Sequence, residues 1–421
     1  MLNRRHFLAM STSGLLLPKR LLAAKSKGER KFFFVYCYGG WDTTMVYTPE
    51  FDNSNVDMEV DAEETEANGI TFVTHQSRPS VQSFFESYGD RCCVINGMEV
   101  RSVTHERCQR LLFTGTSDAD ADDWGVLMAS NTGVVYPVPH LVLAGPAFSS
   151  ENMANVVRVG EVGQLVELMD GSALSLSTQA FPLPDATAEV LEDSFLQARI
   201  ASFQAAHPAG AQARFGQLYG QAIDNLATLN ALSGEVNLAS EGTGCRRDIA
   251  ADAAVAFNAF EAGLARCALT RDDGWCSISW DTHTGNSYQA VHYEELYAYL
   301  NSLMADLDTR TSPSGAPLKD EVTIVVFSEM GRHPQLTNGG RGHWTFTSAL
   351  LIGSGVQGGQ VIGAMNENFE GMPVNLSTGA LDAKGSGLLP SHLGATLLQL
   401  ADIDPAEFVT QVSPLTAALA T

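Results

Sequence analysis

No internal stretch of this chain is long and apolar enough to span a bilayer as a helix. No two of its seven cysteines stand at CxxC spacing, so neither a zinc ribbon nor a redox dithiol motif is present. Positive charge is scarce, with 25 Lys and Arg against 48 Asp and Glu and a net charge of −23. That balance argues against nucleic acid or an anionic membrane as the main partner. There is no internal repeat and no low-complexity linker. The acidic residues concentrate in Asp57–Glu66 and Asp118–Asp123, and neither run has the ligand spacing of a calcium loop, so both read as solvated loops. Most cysteines read as buried small residues, with one disulfide, Cys245 to Cys267 or Cys276, left open by the spacing.

What is present is a chain of 421 residues, 45% hydrophobic, enough for a large core. It begins with Asn3-Arg4-Arg5-His6-Phe7-Leu8 and a modest apolar segment, Leu8–Leu17, followed by Lys19 and Arg20. This pattern matches a twin-arginine export signal, with Ala23-Ala24 as a cleavage site. The expectation is a protein exported folded by the twin-arginine machinery to the periplasm or beyond. A basic tail without a signal function is the bland alternative. Residues 1–29 are then signal and linker, and 30–421 form a single domain.

Within that domain, strands and helices alternate. Lys31–Tyr38, Arg91–Asn96, His140–Ala144, Glu321–Phe327 and Ser348–Ile352 read as strands. Trp275–Ser279 reads as another, ending in Trp280-Asp281-Thr282-His283. Arg78–Tyr88, His105–Phe113 (with Gly115 as C-cap), His292–Leu307 and Pro390–Leu400 read as helices. The Ala-, Leu- and Gln-rich region at about 190–270 predicts two or three helices forming a cap or outer layer. The alternation specifies an α/β fold with a mostly parallel sheet.

Three apolar runs stop abruptly in polar clusters: Gly39-Gly40-Trp41-Asp42, Trp280-Asp281-Thr282-His283 and Ser328-Glu329-Met330-Gly331-Arg332. Open α/β sheets place ligands at such strand ends. Asp281 and His283, two residues apart, project to one side of an extended segment, and His343 follows a Gly-rich turn at Asn338–Gly342. Carboxylate oxygen and imidazole nitrogen together suit a divalent cation. Taken singly, each has a structural reading, Asp281 as a helix N-cap and His343 as a turn residue. Arg332 either clamps an anionic substrate or pairs with a rim carboxylate. Ser102 and Thr104 are fallback nucleophiles that also fit an N-cap, and Asn286 and Gln289 either orient the Asp281 loop or touch ligand. His140, His292, His333 and His392 read as structural.

Asp281…His283, an amphipathic helix, the strand ending in Ser-Glu-Met-Gly and Gly342-His343-Trp344 together resemble the alkaline phosphatase-like superfamily. The segment His105–Gly115 resembles the part of sulfatases that begins with the nucleophile and ends in Leu-Thr-Gly, and Asp42 matches the superfamily's first metal-binding Asp. With the twin-arginine start, the motifs GGWD, WDTH, SEMGR and GHW resemble an exported bacterial family, domain of unknown function 1501, over about residues 3–400. The resemblance implies a three-layer α/β sandwich with helices on both faces and a helical insertion around 190–270. It implies one or two divalent ions (Zn, Mn, Mg or Ca) held by Asp42, His105, Asp281, His283, Glu329 and His343. Function is then hydrolysis of a phosphate or sulfate ester, with His105 and Arg332 as catalytic groups and a small anionic molecule as substrate. The chain departs from the pattern at the nucleophile, where His105 stands, and at Met330, where a His or Asn is usual. It also carries Glu329 for Asp and Gly342 for the Asp before the last His. These departures motivate the alternative, a non-catalytic periplasmic binding or assembly protein on a decayed hydrolase scaffold.

Overall fold

The computed structural model describes residues 29–158, 186–231, 247–275 and 278–420. The twin-arginine segment, Cys245 and Cys276 lie outside the described residues. Cys267 is a buried free thiol.

The central sheet has eight strands in the order β12-β4-β11-β8-β1-β7-β5-β6. They are β1 (Lys31–Cys37), β4 (Cys92–Glu99), β5 (His140–Val142), β6 (Val156–Arg158), β7 (Cys267–Asp272), β8 (Val322–Ser328), β11 (Phe346–Gly353) and β12 (Gln360–Ile362). All neighbouring pairs run parallel except those made by β11, which is antiparallel to both β4 and β8. Two small hairpins, β2 (Glu63–Ala67) with β3 (Ile70–Thr74) and β9 (Gly331–Arg332) with β10 (His343–Trp344), stand outside it.

β1 and β8 are buried at every position, as strands covered on both faces must be. Alternate residues of β1 feed separate cores. Phe33, Val35 and Cys37 pack with Phe84 of α1 (Pro79–Tyr88), Phe257 of α6 (Ile249–Glu261) and Tyr293 of α7 (Ser287–Leu307). Phe32, Phe34 and Tyr36 pack with Phe113 of α2 (His105–Thr114), Met128 of α3 (Trp124–Ser130) and Leu397 of α8 (Pro390–Leu400). The result is the expected helix–sheet–helix sandwich. α4 (Ala186–Ala206) and α5 (Gly210–Ala231) form a helical pair. Among the described residues, no helix is long and apolar enough to cross a membrane.

Two sequence expectations are corrected. The helical stretch about 190–270 ends in β7, a strand inside the sheet, and where a strand was expected at Trp275–Ser279 the described residues show a bridge between Trp275 and Ile278. The short Cys-Ala-Leu-Thr-Arg-Asp segment carries few branched residues after an Ala-rich helix, so its strand character comes from pairing with β1 and β5. Elsewhere the ends shift by a few residues, with α7 starting at Ser287 instead of His292 and α8 matching its predicted span.

Candidate metal centre

β8, β1 and β7 lie side by side and parallel, so their carboxyl ends open on one edge of the sheet. Glu329 follows β8 directly, Gly39–Asp42 follows β1, and the loop carrying Asp281 and His283 runs between β7 and α7. α2 begins at His105 above this edge, and its last residue is followed by Gly115 in the left-handed conformation. The β9–β10 hairpin sets Arg332 opposite His343. Gly39, at φ +125°, brings the first loop so close to the third that a Cβ would stand 2.6 Å from the amide nitrogen of Asp281.

Three side chains converge there. His105 Nε2 lies 3.4 Å from Asp281 Oδ2, and His343 Nε2 lies 3.1 Å from Asp281 Oδ1. One ligand atom from each of the three residues falls within 4.8 Å of the others. The far nitrogen of each ring is committed. His343 Nδ1 donates to the carbonyl of Val103 at 2.7 Å, and His105 Nδ1 donates to Glu329 Oε1 at 2.7 Å. A carbonyl and a carboxylate can only accept, so each Nδ1 carries a proton and each Nε2 faces Asp281, donating to it while the ring is protonated and presenting a lone pair to the centre once that proton is lost. This carboxylate-or-carbonyl to imidazole to centre arrangement is the one that orients metal-ligating histidines. His283 adds a third imidazole, its Nε2 2.9 Å from His343 Nε2 and 3.1 Å from Asp281 Oδ1, with half of its side chain exposed. Nitrogen donors plus one carboxylate fit a divalent ion of zinc or manganese type.

The electrostatics agree with a cluster built around negative charge. Asp281 and Glu329 push the His105 imidazolium up to about 9. Burial raises Asp281, but donors from His105, His343 and Arg332 outweigh it and hold the carboxyl well below the usual range. His283 is lowered by burial and by the neighbouring cations, against the pull of Asp281.

Three expected site residues have other places. Glu329 is buried one layer behind the centre, where it holds His105 and also accepts from the Gly39 amide at 3.0 Å and the Ser328 hydroxyl at 3.2 Å. Asp42 is fully buried and accepts from Thr44 and Asn286, beside the Arg341 guanidinium. Arg332, expected as an anion clamp, is fully buried. It donates to the carbonyls of Gly40 (2.8 Å), Trp280 (3.1 Å), Arg341 (3.2 Å) and Gly39, and to Asp281 at 2.5 Å. A guanidinium with its donors spent on backbone carbonyls ties the three strand-end loops together and offers nothing to an incoming anion.

The remaining candidates resolve in the same way. Gln289 bridges loops, accepting from the Asp42 amide at 3.0 Å and donating to the Gly40 and Trp280 carbonyls. Met330 packs with Val100 and Cys108 under α2. Thr104 precedes α2 without capping it, its hydroxyl lying 3.3 Å from that of Ser102. His292 accepts from the Trp275 amide, His392 from Leu389 and His333 from Gln335, each as a local structural contact. His140 is fully buried, with no hydrogen bond to either ring nitrogen among the described residues. Sequence reasoning missed Arg341, the Val103 carbonyl and Tyr38, whose ring lies 5.6 Å from that of His105. Only Arg341 had a signal, its place beside His343 in the Gly-rich turn.

The family model described as "Protein of unknown function (DUF1501)" matches residues 31–416. No curated protein matches the chain. Among solved structures it is similar to the integral membrane lipooligosaccharide phosphoethanolamine transferase A (EptA) from Neisseria meningitidis, at 11% identity and TM-score 0.39, over 99% of this chain and 66% of that one. The chain thus spans just under two thirds of that transferase. It is also similar to the PsFucS1 sulfatase from Pseudoalteromonas sp., at 9% identity and TM-score 0.41, covering 100% of this chain and 77% of the other. A protein of the alkaline phosphatase superfamily from Vibrio parahaemolyticus aligns at 10% identity and TM-score 0.36, over 100% and 80%.

Proposed function

The chain belongs to the family described as protein of unknown function (DUF1501), and within it we propose that this member is an exported, metal-dependent hydrolase of phosphate or sulfate esters. The observation that carries the reading is the convergence of His105 Nε2, His343 Nε2 and the Asp281 carboxylate, with both Nδ1 protons pinned from behind. Three protein donors with one position open is the coordination of a hydrolytic centre. A divalent ion held there supplies Lewis acidity toward an ester oxygen and acidifies water. The chain's own contributions are specific. Glu329 and the Val103 carbonyl fix the imidazole tautomers, Arg332 keeps Asp281 ionised, and His283, its pKa lowered, stands at the half-exposed rim as the group able to accept or return a proton. The substrate class comes from the superfamily resemblance, and the export reading from the twin-arginine motif.

His283 also motivates the second reading. If its Nε2 serves as a fourth protein donor, the tetrahedral shell is closed and the ion is structural, as in a binding or assembly protein. Titration of the metal-free protein with Zn²⁺, Mn²⁺, Mg²⁺ and Ca²⁺, followed by phospho- and sulfo-ester panels, separates the two. Metal uptake with turnover, both abolished by His343→Ala, is expected. Full metal occupancy with no turnover on any ester selects the second reading, and no uptake of any ion overturns both.

A further inference from the structure

The superfamily pattern leaves open one ion or two, and Asp42 is an expected ligand that stands apart from the cluster of His105, Asp281 and His343. The Asp42 carboxylate has about four acceptor directions; three accept hydrogen bonds, and a buried guanidinium stands against the second oxygen. Oδ1 accepts from the Thr44 amide at 3.1 Å and the Thr44 hydroxyl at 2.7 Å. Oδ2 accepts from Asn286 Nδ2 at 2.8 Å, and Arg341 Nε lies 2.8 Å from the same oxygen, off the line of its N–H, so that this contact is an ion pair more than a directed hydrogen bond. Both members of the pair are buried. Arg341 is itself held in place, donating to the carbonyls of His333 (2.8 Å), Pro334 and Asp57.

We infer that this chain has exchanged a second metal ion for a built-in cation: the Arg341 guanidinium neutralises Asp42, and the centre binds a single divalent ion at His105, Asp281 and His343. The inference rests on the reading of that cluster as a metal centre. Charge supports it independently of geometry. Asp42, Asp281 and Glu329 face Arg332 and Arg341, which leaves one negative charge among these groups. One divalent ion turns that to a single positive charge, whereas two would leave three positive charges in a largely buried site, an arrangement that desolvation opposes.

The test is the saturating stoichiometry of the metal-free full chain with Zn²⁺ or Mn²⁺, read by native mass spectrometry and elemental analysis. It is paired with the metal affinity of the Asp42→Asn/Arg341→Met double variant, which removes both buried charges together. One ion per chain, with the double variant within about twofold of the wild-type affinity while Asp281→Asn loses more than about 100-fold, is the expected result. Two ions per chain overturn the inference. So does a folded double variant that binds about tenfold or more weakly, since that would place Asp42 in the coordination sphere. If the double variant does not fold, the wild-type stoichiometry alone decides. No binding at all removes the metal reading itself, a failure distinct from a count of two.

Discussion

Glu329→Gln probes the layer behind the centre. In the native chain Glu329 is fully buried and accepts the His105 Nδ1 proton at 2.7 Å and the Gly39 amide at 3.0 Å. Glutamine preserves an acceptor oxygen and the shape but removes the charge. A hydrogen bond to a charged group contributes about 1.5–3 kcal/mol and a neutral one about 0.5–1.5 kcal/mol, so the loss is on the order of 1.4 kcal/mol. That corresponds to about tenfold in metal affinity, at the lower end of what outer-layer partners of metal-bound histidines contribute. Calorimetric titration of the metal-free variant with Zn²⁺ measures it directly. Affinity within twofold of wild type would mean that Glu329 does not govern His105. A loss as large as that of Asp281→Asn would make Glu329 a ligand, against its position behind the imidazole.

Arg332→Met strips the Gly39 and Arg341 carbonyls of their guanidinium donor, leaves those of Gly40 and Trp280 to Gln289 alone among side chains, and removes the buried counter-ion of Asp281, so a loss of about 3–5 kcal/mol in urea unfolding is expected; an unchanged unfolding midpoint with a raised KM would restore the anion-clamp role. Burial lowers His140 to about 4; the unfolded chain therefore takes up a proton that the native one refuses as pH falls from about 6.5 towards 4, and stability drops by about 3 kcal/mol across that window. Because buried Asp123, raised to about 7, contributes with the opposite slope, the measurement is the difference between wild type and His140→Leu unfolding at pH 7 and pH 4.5, and a pH-independent difference would refute the assignment.

The strands that organise the sheet were readable where the sequence is unbroken in apolar character. Lys31–Tyr38 and Glu321–Phe327 correspond to β1 and β8 within one residue at each end, and Pro390–Leu400 is α8 without adjustment. β7 was hidden because a six-residue segment with Ala, Thr and Arg has no strong period of its own, and its neighbours in the sheet supply what the sequence does not.

The candidate site divides along the same line. Composition and motif order by themselves determined that Asp, Glu and His side chains end several strands and gather at one edge of a parallel sheet. They did not determine which of them touch the centre. Glu329 and Asp281 are both carboxylates at loop starts, but one is fully buried behind His105 and the other faces it, a difference set by the close approach of Gly39 to the Asp281 loop. Asp42 and Arg332 look like a ligand and a clamp in the sequence. Tertiary packing gives Asp42 to Arg341 and spends Arg332 on carbonyl oxygens, because a buried charge must find its partners wherever the folded chain brings them. Residue type fixes what a side chain is able to bind, and only the fold decides which atoms remain free to bind it.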